Sequence, residues 1–344
     1  MIDTYTDIRI IAQHYRLPEI EVLSLAVNLL GVRTSLPYQR VRFILESERG
    51  RLMFSVENSS KSPLAVVNGT LFIAGSCTSY SVIDLIEDRC EVIYTRKNGA
   101  VISFNPNNRS SCSGCLFCYQ PASNDTKKIN HSSLLSFFEE WMEKNRLSSL
   151  SHIEQLALVT GCFQDESAAI DYLINIRHTL LSLGFDKEIL YLGMVQDSAH
   201  IEMLSRIKPF NLVFTVECFD KRSIILRDSK YVDLDKLTML MDVALGNGIK
   251  TSFSYIVGLD PLESIRKNFE LLKTHIDFFP LVSIYQTDRR RRAIRTSKAN
   301  HLDYYLQSRK IIQDVFAGSM LRPNGWNNHR SLWRTCYGES NEPF

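Results

Sequence analysis

Val101-Ile-Ser-Phe104 and, just beyond it, Arg109-Ser-Ser-Cys-Ser-Gly-Cys-Leu-Phe-Cys-Tyr119 join a short apolar run to three cysteines, Cys112, Cys115 and Cys118, held within seven residues. The apolar run has the length and composition of a buried strand, so the cysteines fall in the loop that leaves its end. Thiols at C-x2-C-x2-C spacing can converge on one metal centre, and no fourth cysteine follows nearby. Structural zinc sites are closed by four protein ligands, whereas a working metal keeps one position open. The nearest histidine, His131, has no second ligand at metal spacing around it. Soft thiolates on a short loop suit zinc or an iron–sulfur cluster, and a cubane with three protein ligands leaves one iron for another molecule.

Downstream the chain alternates. Leu134, Leu135, Phe137, Phe138, Trp141 and Met142 recur at helical spacing, and Leu156-Ala-Leu-Val159 reads as the next strand. Helices are predicted at about 165–183, 201–207, 233–245, 263–272 and 302–316. The strands between them are 189–192, 212–216, 252–257 and 281–285. Nearly continuous apolar strands separated by amphipathic helices signal a parallel sheet covered by helices. Six βα units of one hand can curl into an open, partial (β/α)6 barrel, whose ligands gather at the carboxyl ends of the strands. The cysteine loop lies on that edge.

Upstream the pattern differs. Residues 1–35 read as helical on both sides of Leu17-Pro18, and Val41–Leu45 and Leu52–Val56 read as strands around Glu48-Arg-Gly50. Asn68-Gly69 and Asn98-Gly99 are tight-turn signals. The expected organisation is an N-terminal α+β accessory region (1–98), the α/β barrel (99–318) and a C-terminal cap or tail (319–344). The 344 residues are 44% hydrophobic and 23% charged, as in an ordinary globular chain, and a net charge of +2 gives no global argument for nucleic acid or membrane binding. The acidic N-terminus lacks a secretory n-region and no apolar run reaches membrane-spanning length, so a cytoplasmic location is expected. Eight cysteines in such a chain are not a disulfide framework.

A three-cysteine loop after the first strand of a six-fold βα array resembles the radical S-adenosylmethionine (radical SAM) superfamily, and the resemblance covers roughly residues 100–318. The family spacing is C-x3-C-x2-C; here Ser111 stands where the first cysteine would sit and Cys112 follows it. Cys115-Leu-Phe-Cys118 keeps the aromatic before the last cysteine. The resemblance implies a [4Fe-4S] cluster held by Cys112, Cys115 and Cys118, with S-adenosyl-L-methionine on the remaining iron. Its reductive cleavage would give a 5′-deoxyadenosyl radical that abstracts hydrogen from a substrate. It also implies an electron donor such as a flavodoxin or ferredoxin. Carried over in the same way, Phe117 packs on the adenine, Gly161 in Thr160-Gly-Cys-Phe-Gln-Asp-Glu166 meets the amino group, Glu217 holds the ribose hydroxyls, and Gly258 lets the fifth strand approach the adenine.

Other residues are candidates on their own chemistry. Cys162 and Cys218 fall at strand ends; buried packing is the expected role, with hydrogen-atom donation as the sharper one. Asp288-Arg-Arg-Arg-Arg292 follows the sixth strand, and Arg289, Arg290, Arg291 and Arg292 are candidates to bind a substrate phosphate or carboxylate. An RNA surface should add exposed aromatics and a broader basic patch, so a small-molecule or peptide substrate is expected ahead of RNA. The alternatives are a non-catalytic iron–sulfur or metal-binding module and an RNA-modifying enzyme of the same family.

Overall fold

The computed structural model describes residues 5–48, 50–73, 79–88, 92–96, 99–106, 115–117, 129, 131–160, 165–226, 230–286, 294–323 and 331–334. The chain begins with α1 (Tyr5–Tyr15) and α2 (Glu19–Leu30), separated at Pro18, whose ring locks φ and suits the start of a helix. Five antiparallel strands follow: β1 (Arg40–Ser47), β2 (Gly50–Glu57), β3 (Leu64–Val67), β4 (Thr70–Ile73) and β5 (Ser79–Glu87), in the order β2-β1-β5-β4-β3. The Asn68-Gly69 turn joins β3 to β4, both residues having positive φ.

The second sheet holds the site. Its parallel strands are β7 (Val101–Phe104), β8 (Gln155–Val159), β9 (Glu188–Gly193), β10 (Phe210–Glu217), β11 (Lys250–Val257) and β12 (Leu281–Ile284). They lie side by side in sequence order, a curled α/β half-barrel as the alternation predicts. The sequence reading has no counterpart for β6 (Ile93–Arg96), which pairs antiparallel with β7 and makes a seventh strand. The helices are α3 (Leu134–Lys144), α4 (Glu166–Ser182), α5 (Ser198–Leu204), the single turn α6 (Arg222–Ile225), α7 (Leu234–Gly246), α8 (Leu262–Leu272) and α9 (Leu302–Phe316). Three start on an aspartate whose side chain accepts a backbone N–H: Asp165 from Ser167 (3.0 Å), Asp197 from Ala199 (2.9 Å) and Asp233 from Lys236 (2.8 Å). Each such cap stabilises by about 1 kcal/mol and fixes where a loop on the carboxyl edge must end.

Strand alternation sorts the two faces of this sheet. Phe104, Leu158, Ile189, Leu212, Phe214, Phe253 and Val282 join Phe138, Leu173, Leu237, Phe269 and Ile312 of the helices in one buried core. At about 1.5–3 kcal/mol per buried side chain, this layer supplies most of what holds helices to strands. The opposite, inner face carries small and polar side chains among its apolar ones: Ser103 and Ala157 share one row, and Thr215 and Ser254 pair farther along. That face leaves room for a ligand.

The front region packs onto the barrel in the same core. Glu21 of α2 and Arg309 of α9, 0% and 2% exposed, form an ion pair at 2.8 Å. Arg40 of β1 and Asn28 of α2 both bond the Gln286 side chain just after β12. Residues 331–334 return to β12, with a Ser283–Ser331 bridge and buried Trp333. Among the described residues no helix is long and apolar enough to cross a membrane.

Candidate active site

The carboxyl ends of β7 to β12 gather the described part of the cysteine loop. Cys115 is 6% exposed, and the next residue, Leu116, donates its N–H to the Ile225 carbonyl at 3.0 Å, on the helical turn that follows β10. Phe117 is half-buried against an apolar cluster of Cys218, Ile225, Leu259 and Tyr285, which come from beyond β10, β11 and β12. The loop leaving the first parallel strand therefore docks across the edge, onto the far strands.

Glu217, the last residue of β10, is half-buried with φ +65°, a left-handed conformation that residues other than glycine, asparagine and aspartate rarely take. The register between β10 and β11 slips at this point, which re-aims the carboxylate: Glu217 Oε1 accepts the Ser254 hydroxyl at 3.1 Å. Burial pushes the carboxyl pKa up, with Lys230, the Ser254 hydrogen bond and Arg222 pulling the other way. Beside it on the inner face, the Thr215 hydroxyl is buried with no hydrogen-bond partner among the described residues. Such an orphan needs an explanation, and a polar ligand on this face supplies one.

Two further carboxylates, absent from the sequence candidates, tie the edge loops together. Asp260, fully buried, accepts the N–H of Phe219 (2.8 Å) and of Asp220 (2.9 Å) and the Tyr255 hydroxyl (3.0 Å). Its burial raises its pKa, while those three donors hold it back. Glu166 accepts the N–H of Gln196 (2.8 Å) and Asp197 (3.1 Å), and His200 Nδ1 lies 2.6 Å from it. Asp260 thus pins the loop after β10 to the end of β11, and Glu166 pins the loop after β9 to the start of α4. Aspartate following Gly-Leu stands plainly in the sequence, but its backbone partners lie about forty residues away.

Gly258 has φ +123°, and a Cβ there would come 2.9 Å from Tyr285 Cβ and 3.1 Å from the Tyr305 hydroxyl. The close approach it permits in this structure is made by those two tyrosines. Cys218 is fully buried, and burial together with the Asp260 charge pushes its thiol up to about 12. This is the packed cysteine, not an exposed nucleophile. Cys112, Cys118, Gly161, Cys162 and Arg289 to Arg292 lie outside the described residues. The described edge therefore brings together Cys115, Phe117, Glu217 and Gly258.

No family model matches the chain, and no curated protein matches it. Among solved structures it resembles Streptococcus suis SuiB bound to S-adenosylmethionine, at 14% identity and a TM-score of 0.45 over 63% of this chain and 47% of that one. SuiB bound to its precursor peptide SuiA gives 14% identity and 0.44, over 63% and 45%. A radical S-adenosylmethionine methyltransferase, TsrM from Kitasatospora setae, with cobalamin and a [4Fe-4S] cluster bound, gives 13% and 0.37, over 53% and 34%. The chain spans less than half the length of each of these structures.

Proposed function

We propose that the carboxyl edge of the half-barrel is the active site of a radical SAM enzyme acting on a small-molecule or peptide substrate. The observation that carries this reading is the place of Cys115: buried at the carboxyl edge, in a loop tied by Leu116 to the residues after β10. The donor set fits a cluster, since three thiolates within seven residues can share one centre. A [4Fe-4S] cluster on Cys112, Cys115 and Cys118 would supply the electron that cleaves S-adenosyl-L-methionine to a radical-forming fragment and methionine.

The chain's own residues do the rest. Phe117 would stack on the adenine, and Glu217 would accept the ribose hydroxyls, which a carboxylate can do with two oxygens. The orphan Thr215 hydroxyl would find its partner on the bound cofactor. Gly161 would allow the turn after β8 to approach the cofactor's amino group. Gly258 serves the site through Tyr285, which backs Phe117. Arg289 to Arg292, following β12, would meet an anionic group on the substrate. In this reading residues 1–98 are the accessory region and 319–344 the cap of a barrel at 99–318.

The test is 5′-deoxyadenosine formation from S-adenosyl-L-methionine under anaerobic reduction, on reconstituted wild type and Cys115→Ala, with iron and labile sulfide measured on the same samples. Product from the wild type alone is expected. A fully loaded cluster without product refutes the cleavage, and absence of iron and sulfide refutes the site.

A further inference from the structure

The opposite end of the sheet has its own cavity. At the amino ends of the parallel strands a space of about 350 Å³ is lined by side chains from β8 to β12 and by the returning 331–334 segment. That volume is within the range of small-molecule sites. Its floor is the inner face of the sheet, where Leu190, Asn211 and Lys250 sit opposite one another on β9, β10 and β11. Phe279 and Trp333 make apolar walls.

The polar groups are what single it out. Asn211 is 8% exposed, lines the cavity, and its side chain takes no hydrogen bond among the described residues. Its amide atoms stay accessible from the cavity, so a ligand there would meet an amide that no described residue occupies. Both signs of charge line the same space. Glu188 and Asp277 are the acids; Lys250 is an exposed ammonium with no ion-pair partner among the described residues, and Arg322 adds a guanidinium. Asp277 spends one oxygen on the Thr251 N–H (3.0 Å), and Glu188 accepts from the Gln155 amide, so each acid keeps accepting capacity.

We propose that this cavity is a second binding site, for a zwitterion of dipeptide size whose amine faces Glu188, whose carboxylate faces Lys250 and Arg322, and whose peptide group pairs with Asn211. Glu188 and Lys250 stand two strands apart and two residues out of register, roughly 12 Å at the backbone. An extended dipeptide spans about 7 Å, so its two charged ends reach one group of each sign while its central amide lies over β10. A single charge would satisfy only half of the lining. The site stands apart from the cysteine loop and needs no metal.

The probe is the dipeptide Gly-Leu, titrated against the full chain by calorimetry and by tryptophan fluorescence, with N-acetyl-Gly-Leu and Gly-Leu amide as forms lacking one charge each. Saturable binding of Gly-Leu is expected, weakened about tenfold by either blocking group. Asn211→Leu and, at an exposed position that cannot compromise folding, Lys250→Gln should each cost about tenfold as well. Cys115→Ala should bind as the wild type does, which separates this site from the chemistry proposed at the other edge. No saturable binding in the millimolar range overturns the proposal, as does equal affinity for the blocked forms or wild-type affinity in Lys250→Gln.

Discussion

Replacing Gly258 by alanine tests the geometry of the carboxyl edge directly. The residue holds φ +123°, outside the range that L side chains adopt readily, and its added methyl would stand 2.9 Å from Tyr285 Cβ and 3.1 Å from the Tyr305 hydroxyl. Neither tyrosine has space to retreat, being 2% and 1% exposed. The backbone is also fixed, because Thr296 N–H bonds the Gly258 carbonyl at 2.9 Å and Tyr285 N–H bonds that of Val257 at 2.8 Å. Backbone strain contributes about 1–3 kcal/mol and forced overpacking a similar amount, so a loss of roughly 2–6 kcal/mol is expected. Gly318 provides the control: φ +80° with nothing within 4 Å of an added Cβ, so its alanine variant should show the strain alone, about 1–2 kcal/mol. Urea denaturation of the two variants, followed by circular dichroism, measures both. A Gly258→Ala loss no larger than that of Gly318→Ala would refute the close packing of the two tyrosines on the strand.

Three other outcomes follow from particular contacts. Glu21→Ala removes the carboxylate paired with the Arg309 guanidinium, 2% exposed, and should cost about 3–5 kcal/mol in the same assay; pairing Glu21→Leu with Arg309→Met should restore most of it. Cys218, buried with its thiol pushed up to about 12, should resist alkylation in the native protein near pH 8 and react only on unfolding, read by peptide mass spectrometry. Burial raises the Glu217 pKa, so the native state keeps its proton to higher pH than the unfolded chain does. That contribution is full below the ordinary value of 4.5 and is lost as pH rises through the raised value, so urea midpoints should fall across this window. Glu217→Gln should flatten part of the fall and leave the share of Asp260, which has the same sign.

The parts of the fold that showed in sequence are those with local causes. The apolar run at 212–216 became the centre of β10 because a strand buried on both sides needs no polar alternation, and Asp165 and Asp233 marked helix starts through caps spanning two or three residues, whereas the helix expected at 201–207 starts earlier, on Asp197. What did not show depends on partners distant in sequence. Ile93-Tyr-Thr-Arg96 has no strong strand pattern, and β7 recruits it as an antiparallel edge. Nothing local marks Glu217 as left-handed, since it is neither glycine nor asparagine; the slip in register against β11 imposes it. The roles of Asp260 and Glu166 are set by backbone N–H groups some thirty to forty positions away.

Those carboxylates also decide which acid on the edge can serve a ligand. Asp260 commits both oxygens, Oδ2 to Phe219 N–H and the Tyr255 hydroxyl and Oδ1 to Asp220 N–H. Glu166 likewise spends one oxygen on Gln196 N–H and the other on Asp197 N–H and His200. Both are fasteners, and their loss would loosen loops before it touched chemistry. Glu217 differs: Oε1 takes the Ser254 hydroxyl, and Oε2 takes no hydrogen bond among the described residues. A half-buried carboxylate with one open oxygen, held in a conformation costing about 1–2 kcal/mol and set beside an orphan hydroxyl, is an arrangement that folding alone does not require. A ligand presenting vicinal hydroxyls would repay both costs at once, completing Glu217 and Thr215 from the inner face of the sheet.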